Sequence, residues 1–317
     1  MTVKIITDST ADLPPQVAQE LGITVVPVYL RFGDKVYRDG VDMGHDEFYR
    51  KLEEGSVQPA TSQPTPADFT GAYKKLSKES DEMVSIHVTG KLSGTCNAAL
   101  QGSRELVESG CRIEVIDSLS TSMGLGLIAM AAARLAGAGE SLQAVTDEVR
   151  EIVPRIRMFG LFDTLKYLHR SGRLGKAAAL LGSVLNVKPL LTMRDGELVP
   201  AGLARTRSRG IDRLFELCKN ALNIQELAIV HSTTPDEAAS LKERIASVFD
   251  RKGIHISRLG PALGVHGGPG ALLLALREKV SSIGQDDGEG EPSKKGFSLP
   301  SLHIPKIGFH ARGYSPE

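Results

Sequence analysis

"EMVSIHVTGKLSGTCNAALQGSRELVES" (residues 82–109) decides the fold. Its first seven residues form a short apolar run of strand type. A corner follows, "GKLSGT" (90–95), and then a helix-like stretch, "SGTCNAALQGSRELVES". "RIEVIDS" (112–118) comes next and reads as another strand. Strands joined by single helices imply parallel pairing with right-handed crossovers. The pattern repeats upstream. "VKIIT" (3–7) is a strand, and "TADLPPQVAQELG" is a helix that starts at Pro14 and Pro15 and stops at Gly22. "ITVVPVYLRF" (23–32) reads as one strand, whose Pro27 argues for an edge position or a bulge. "FGDKVYRDG" gives a turn and a short return strand, and "GHDEFYRKLEEG" a short helix. Thr65-Pro66 with Asp68 three places on is a capping-box signature that starts a helix at Pro66. "ATSQP" (60–64) reads as the loop before it.

Downstream, Ser118 to Ala133 carries no charge but is shorter than the ~18–20 residues a membrane-spanning helix needs, so it reads as a buried helix. "GLGL" (124–127) lies inside it and reads as helix packing. "SLQAVTDEVREIVPRI" is the next helix. The pattern restarts near residue 157 with two short helical pieces, about 163–170 and 174–183. A hairpin follows, "VKPLLTM", "RDG", "ELVPAG", then a helix over about 208–222, strand "ELAIVH", helix "DEAASLKERIASVF" and strand "GIHISRLG". In "LGVHGGPGALLLAL" the last apolar run fits a strand or a helix equally, and periodicity does not decide. The expected architecture is α/β with two α/β domains. Residues 1–157 hold a mainly parallel sheet, and 158–280 a mixed sheet. Residues 281–317 are rich in Gly, Pro and Ser and read as a disordered tail, with "LPSLHIPKIGF" as its one apolar island.

Bulk chemistry excludes some classes. The 317 residues carry 38 Lys plus Arg and 38 Asp plus Glu, so net charge gives no support for nucleic-acid binding. Cys96, Cys111 and Cys218 are too few and too scattered for a disulfide framework or a zinc site. No signal-peptide pattern is visible, and the expected compartment is the cytoplasm.

"GKLSGT" fails the phosphate-loop pattern, since Gly90-Lys91 is followed by Leu92, and no dinucleotide fingerprint occurs elsewhere. What remains is a helix start with the Ser93 and Thr95 hydroxyls, suited to one modest anion such as a carboxylate, or else merely a self-capping turn. Thr61 and Ser62 make a second hydroxyl loop, expected on the same edge of one parallel sheet. Asp8, Ser9, Asp12, Asp117 and Ser118 at strand ends read first as caps. His266 among glycines is either structural or a ligand-facing imidazole. Two basic segments, "LKYLHRSGRLGK" (165–176) and "LARTRSRGIDR" (203–213), flank the apolar "AAALLGSVLNV". That adjacency favours a membrane-facing surface over a nucleic-acid reader.

In order, "ITDSTADLP", "YRDGVDM", "TSQPTPADF", "GKLSGTCNAA", "VIDSLSTSMGLG", "LKYLHRSGRLG", "LNVKPLLTMRDGEL", "RTRSR" and "HGGPGALLL" resemble the DegV family, which includes the FakB subunit of bacterial fatty acid kinase. The resemblance spans about residues 2–280. It implies a fatty acid buried between two α/β domains, in a carrier that is not itself a catalyst and needs no cofactor or metal. It assigns the carboxylate to Thr61, Ser93 and His266, and contacts with a kinase partner or membrane phosphates to Arg173 and Arg205. An ATP-dependent kinase subunit and a transient membrane surface are the implied partners, with no nucleic acid. Gly267 stands where the family usually has threonine, "HRSGR" replaces "RGGR", and Cys96 stands where tyrosine is common. The competing reading is a stand-alone hydrolase or phosphotransferase using Asp8, Ser93 and His266, although no G-x-S-x-G elbow is present.

Overall fold

A computed structural model describes residues 2–55, 57–181, 187–221 and 223–279; the expected disordered tail lies outside these residues. The order of elements is β1 (Lys4–Asp8), α1 (Pro15–Glu20), β2 (Ile23–Val26), β3 (Tyr29–Phe32), β4 (Lys35–Arg38), α2 (His45–Glu54) and β5 (Ala60–Ser62). Then come α3 (Pro66–Leu76), β6 (Glu82–His87), α4 (Thr95–Glu108), β7 (Arg112–Asp117), α5 (Ser122–Gly137) and α6 (Leu142–Ile152). The second half runs β8 (Ile156–Leu161), α7 (Lys166–Arg170), β9 (Lys188–Arg194), β10 (Glu197–Ala204) and α8 (Arg207–Asn220). It ends with β11 (Ile224–His231), α9 (Pro235–Ala246), β12 (Ile254–Arg258), α10 (Pro261–Gly267) and β13 (Leu272–Glu278).

The first sheet has the order β2-β1-β6-β7, and all its pairings are parallel. Successive side chains point to opposite faces, as the pleat requires. Ile5, Val84 and Ile86 pack with α5 and α6, whereas Ile6 and Met83 pack with Phe69 and Tyr73 of α3 and Ala98 and Ala99 of α4. The α3 start is as the sequence reads: Thr65 and Asp68 form a reciprocal capping box, with Pro66 at the first helical position.

The second sheet has the order β10-β9-β8-β13-β11-β12 and is antiparallel except between β11 and β12. One face packs against α8 and α9, through Leu214, Leu241 and Ile245. The other face joins the core of the first sheet. The bridge is α5, which is buried nearly all round, as expected of a helix without a polar face. Ala228, Val230, Leu273 and Ala275 of the second sheet and Ile5 and Val84 of the first belong to that one core. The second sheet begins with β8 at Ile156, and residues 1–281 cluster as one compact unit.

Three sequence expectations change or resolve. The single strand over 23–32 is two strands in two sheets. Proline has no N–H for a ladder, and the break falls at Pro27, between edge strand β2 and strand β3. Residues 60–62 are not loop but β5, which pairs Tyr29 with Ser62 and Leu30 with Thr61 in a small antiparallel sheet, β4-β3-β5. Thr61 therefore does not stand on an edge of the parallel sheet. The run 272–278 is a strand between β8 and β11, and its apolar part, 272–276, turns Leu273 and Ala275 to one core and Leu272, Leu274 and Leu276 to the other, so both faces are apolar.

Helices α3 and α4 approach closely at Gly102, where the Thr70 hydroxyl donates to the Gly102 carbonyl at 2.9 Å. A Cβ at Gly102 would lie 2.5 Å from the Pro66 carbonyl oxygen and 2.7 Å from Phe69 Cβ. Gly102→Val should therefore destabilise the protein by about 1–3 kcal/mol, the usual cost of overpacking. Urea unfolding checks this; an unchanged midpoint would contradict the close approach.

Candidate functional site

A cavity of ≈ 310 Å³ lies between the second sheet, β5, α10 and the segments that follow strands of the first sheet. The second sheet supplies Met158, Gly160, Leu191, Met193 and Leu273 to its wall, and the segment leading into and forming α10 supplies Leu259, Ala262 and Leu263. Polar groups come from a few places only. Thr61, Ser62 and Gln63 line the cavity from β5 and the residue after it, Ser93 and Gly94 from the corner before α4, and His266 from the last turn of α10. Largely apolar walls with a few polar groups describe a small-molecule site of ordinary size.

Geometry joins the sequence-selected residues unevenly. Thr61 Oγ1 and His266 Nε2 are 3.1 Å apart. Ser93 Oγ lies 2.8 Å from Thr95 Oγ1 and accepts the Thr95 N–H at 3.3 Å, so the self-capping role is partly real. The two hydroxyl segments meet through Gln63, whose amide lies so close to Gly94 that a Cβ there would fall 2.2 Å from Gln63 Oε1. Arg173 also lines the cavity, and its Nε donates to the Leu92 carbonyl at 3.4 Å and its Nη1 to the Ser171 carbonyl at 2.6 Å. Arg205 is exposed and is not part of the cavity wall. Its neighbour Arg207 is committed to Glu237 and to the Gly270 carbonyl.

Burial, and secondarily the Arg173 charge, push the His266 pKa down to about 4. The ring is thus neutral at neutral pH, and Nδ1 is buried with no hydrogen-bond partner among the described residues. Thr10 and Thr121 line the cavity too, and sequence reasoning did not select them as site residues. Thr121 precedes α5 as its N-cap residue but makes no side-chain cap bond, and its hydroxyl has no partner. A cap-type residue at a helix start was the available signal, and it does not distinguish a cap from a wall.

The set Asp8, Ser93 and His266 is not brought into mutual hydrogen-bond contact. Asp8 instead accepts from the Thr10 N–H and the Val88 N–H and lies 3.0 Å from His87 Nδ1. His87 Nε2 is 2.7 Å from Ser85 Oγ, which is 2.8 Å from the Tyr73 hydroxyl. Ser85, His87 and Asp8 have the reach of a nucleophile–base–acid series. All three are 0% exposed, however, so no substrate reaches Ser85 in this arrangement. The series ties β1, β6 and α3 together. Among the described residues, no group of three or more His, Cys, Asp or Glu could hold a metal ion, and no helix is long and apolar enough to cross a membrane.

The geometry describes a largely apolar cavity with polar side chains on part of its lining. A family model, "Uncharacterised protein, DegV family", matches residues 2–279, and the chain belongs to the DegV family. A DegV domain-containing protein of Caldanaerobacter subterraneus is 35% identical over 280 residues, covering 87% of this chain and 99% of that one. A Thermus thermophilus DegV family protein, described for its fatty acid binding, superposes with a TM-score of 0.81 at 32% identity, covering 88% of this chain and 100% of that one. DegV of Bacillus subtilis, described as a fatty acid binding protein, has a TM-score of 0.79 at 29% identity, with coverages of 88% and 100%.

The His266 environment is testable without any ligand. Its ring should titrate near pH 4 by NMR, against an ordinary value of 6.5. A lowered histidine pKa contributes stability that is present above pH 6.5 and lost as the pH falls toward 4. Arg173→Gln should move the titration upward. A His266 resonance titrating at 6.5 or above would contradict the neutral, desolvated ring.

Proposed function

We propose that this protein binds one long-chain fatty acid, with the acyl chain in the cavity and the carboxylate held by Thr61, Ser93 and His266. The protein is a carrier rather than a catalyst. It presents the carboxylate to an ATP-dependent kinase subunit for acyl-phosphate formation and exchanges its ligand transiently at a membrane surface, from the cytoplasm. Arg173 and Arg205 meet phosphate on the partner or the membrane. The observation that supports this reading most is the cavity itself, apolar over most of its wall, with the Thr61–His266 pair and the Ser93 hydroxyl on its lining.

The physical chemistry is consistent with tight binding. Each buried methylene contributes about 0.8 kcal/mol, so about fourteen of them contribute about 11 kcal/mol gross. Association costs offset a large part of that sum. With the His266 proton on Nε2, Thr61 Oγ1 accepts from the ring and its own hydroxyl hydrogen is free for a carboxylate. Arg173 is held by carbonyl oxygens rather than by a carboxylate, so its charge is available to an anion nearby. The related Thermus and Bacillus proteins described as fatty acid binding lend the reading further support.

Native mass spectrometry of the protein purified from cells should record one added fatty acid. Ser93→Ala, or Thr61→Val, should weaken fatty-acid binding by about 10–100-fold, the loss of a hydrogen bond to a charged group being about 1.5–3 kcal/mol. An empty protein whose affinity for added fatty acid is unmoved by both substitutions would overturn the reading. Turnover of ester or phosphate substrates by the isolated chain would favour the hydrolase or phosphotransferase alternative.

A further inference from the structure

Helix α10 brings His266 to the cavity, yet it has only seven residues. Helices this short do not hold themselves in water, and tertiary contacts must fix them. Its N-terminal end carries few free donors, because Pro261 has no N–H. The two that precede and follow Pro261 both go to buried carboxyl groups from distant parts of the chain. The Gly260 N–H donates to Asp12 Oδ1 at 2.8 Å, and the Ala262 N–H donates to Asp39 Oδ1 at 3.3 Å. A Cβ on Gly260 would lie 2.9 Å from Asp12 Oδ1 and 3.7 Å from Asp39 Oδ2, so a glycine here lets both carboxyls close on the same turn.

Both acids are held firmly. The Ser122 hydroxyl donates to Asp12 Oδ2 at 2.5 Å, and the Ser257 hydroxyl donates to the Asp12 carbonyl. Asp12 and Ser122 both have left-handed backbones, with φ of 51° and 50°. Such conformations are costly outside glycine and persist where surrounding contacts enforce them. Asp39 bonds the Ser9 side chain, and its N–H donates to the Val28 carbonyl at 2.8 Å. The acids are 7% and 4% exposed, and neither lines the cavity.

The electrostatic surroundings are one-sided. Asp8 faces both acids from β1, and Tyr49 faces them from α2 with its hydroxyl donating to the Leu259 carbonyl. The nearby cation, Arg258 of β12, is turned to Asp46, to the Ser232 carbonyl and over the Tyr49 ring, with His45 beside it. Asp8 has its own partner in His87. Among the described residues, neither Asp12 nor Asp39 is in an ion pair. Burial first, opposed by the Ser122 and Gly260 bonds at Asp12 and the Ser9 and Ala262 bonds at Asp39 and aided by neighbouring carboxyls, pushes the Asp12 pKa up to about 8 and that of Asp39 up to about 6. Carboxyl groups raised in the folded state contribute stability at low pH that is lost as the pH rises through those values.

We propose that Asp12 and Asp39 together form the mount of α10, positioning His266 and one wall of the cavity from outside it, and that ionising the pair loosens that wall. The ligand consequence rests on the fatty-acid reading above; the mechanical part does not. Ionisation strengthens the bonds from the Gly260 and Ala262 N–H groups, but it also places two negative charges beside Asp8 in a buried site with no ion-pair partner among the described residues; that burial cost outweighs the gain and is relieved by letting water in at Gly260. That frees the helix bearing Ala262, Leu263 and His266.

The test uses the full chain stripped of lipid. Hydrogen exchange of residues 260–267, corrected for intrinsic rates, is followed from about pH 6 to about pH 9, and palmitate affinity is titrated over the same range. Exchange in this segment should speed up across the window while palmitate affinity falls by about tenfold or more, the effect of about one pKa unit of coupling. Asp12→Asn keeps an oxygen for the Gly260 N–H but cannot ionise. It should bind palmitate as wild type does at the acidic end and flatten both pH profiles. Asp12→Ala should weaken binding throughout. Ser93→Ala should weaken binding yet leave the exchange profile of 260–267 unchanged. If wild-type protein binds no palmitate at any pH, the ligand reading fails and exchange alone decides the mount. Exchange that is independent of pH, or an Asp12→Asn profile that follows wild type, overturns the proposal.

Discussion

The structure depends on a helix that has no face to give to water. Of the 16 residues of α5, only Arg134 is charged, and thirteen are buried. One sheet can cover one side of such a helix and no more. The first sheet covers it through Ile5, Val84 and Ile86, and the second through Ala228, Val230, Leu273 and Ala275. Two sheets of different topology are thereby held around one element. The cavity lies beside the start of that element, where Thr121 ends the loop and the apolar packing gives way to polar loop atoms.

The polar end of the cavity is built from groups that lack acceptors of their own strength. Asp8, Asp12 and Asp39 are all close by in sequence or space, yet each is occupied by internal donors. Asp68 is spent in the α3 capping box and on the Tyr29 hydroxyl. What faces the cavity is hydroxyls, an amide and a neutral imidazole, with the guanidinium of Arg173 on the same wall. The same low dielectric that keeps His266 neutral strengthens hydrogen bonds made there, and it penalises any that are left unmade.

Most strands and helices were legible because periodicity and caps are local signals. Thr65, Pro66 and Asp68 named the start of α3, and the charge-free run named α5 as buried. The failures have physical causes. Ala60–Ser62 has neither length nor alternation; it is a strand only because Tyr29–Arg31 offers an open edge to pair with. The run 272–278 gave no period because both its faces are buried in the middle of a sheet. At the site, Ser93 and Thr61 stood out as hydroxyls before helices and His266 as an imidazole among glycines, and only the family resemblance grouped the three. Gln63 and Thr121 carry no pattern that separates a cavity wall from an ordinary turn. The role of Asp12 was unreadable for a stronger reason, since its partner Gly260 lies 248 residues away.

That long separation bears on where the fold is least self-sufficient. Strands β1 and β6 are held by ladders along their length, and α5 by burial on all sides. Helix α10 has no ladder; it is largely buried, with α7 packed against it. It packs Ala262 and Val265 against Phe48 and Tyr49 of α2, takes its N-terminal acceptors from Asp12 and Asp39, and reaches Thr61 through His266. Phe48, Tyr49, Asp12, Asp39 and Thr61 all belong to the first 62 residues, whereas α10 lies near the end of the described chain. Local stability in proteins follows such contact density, and binding walls are drawn from its lower end. Leu263 of α10 also packs against the shared core around α5, so this wall joins that core as well as the polar contacts at its start. The α10 wall thus combines apolar packing with polar contacts to Asp12 and Asp39, whereas α5 is held by burial.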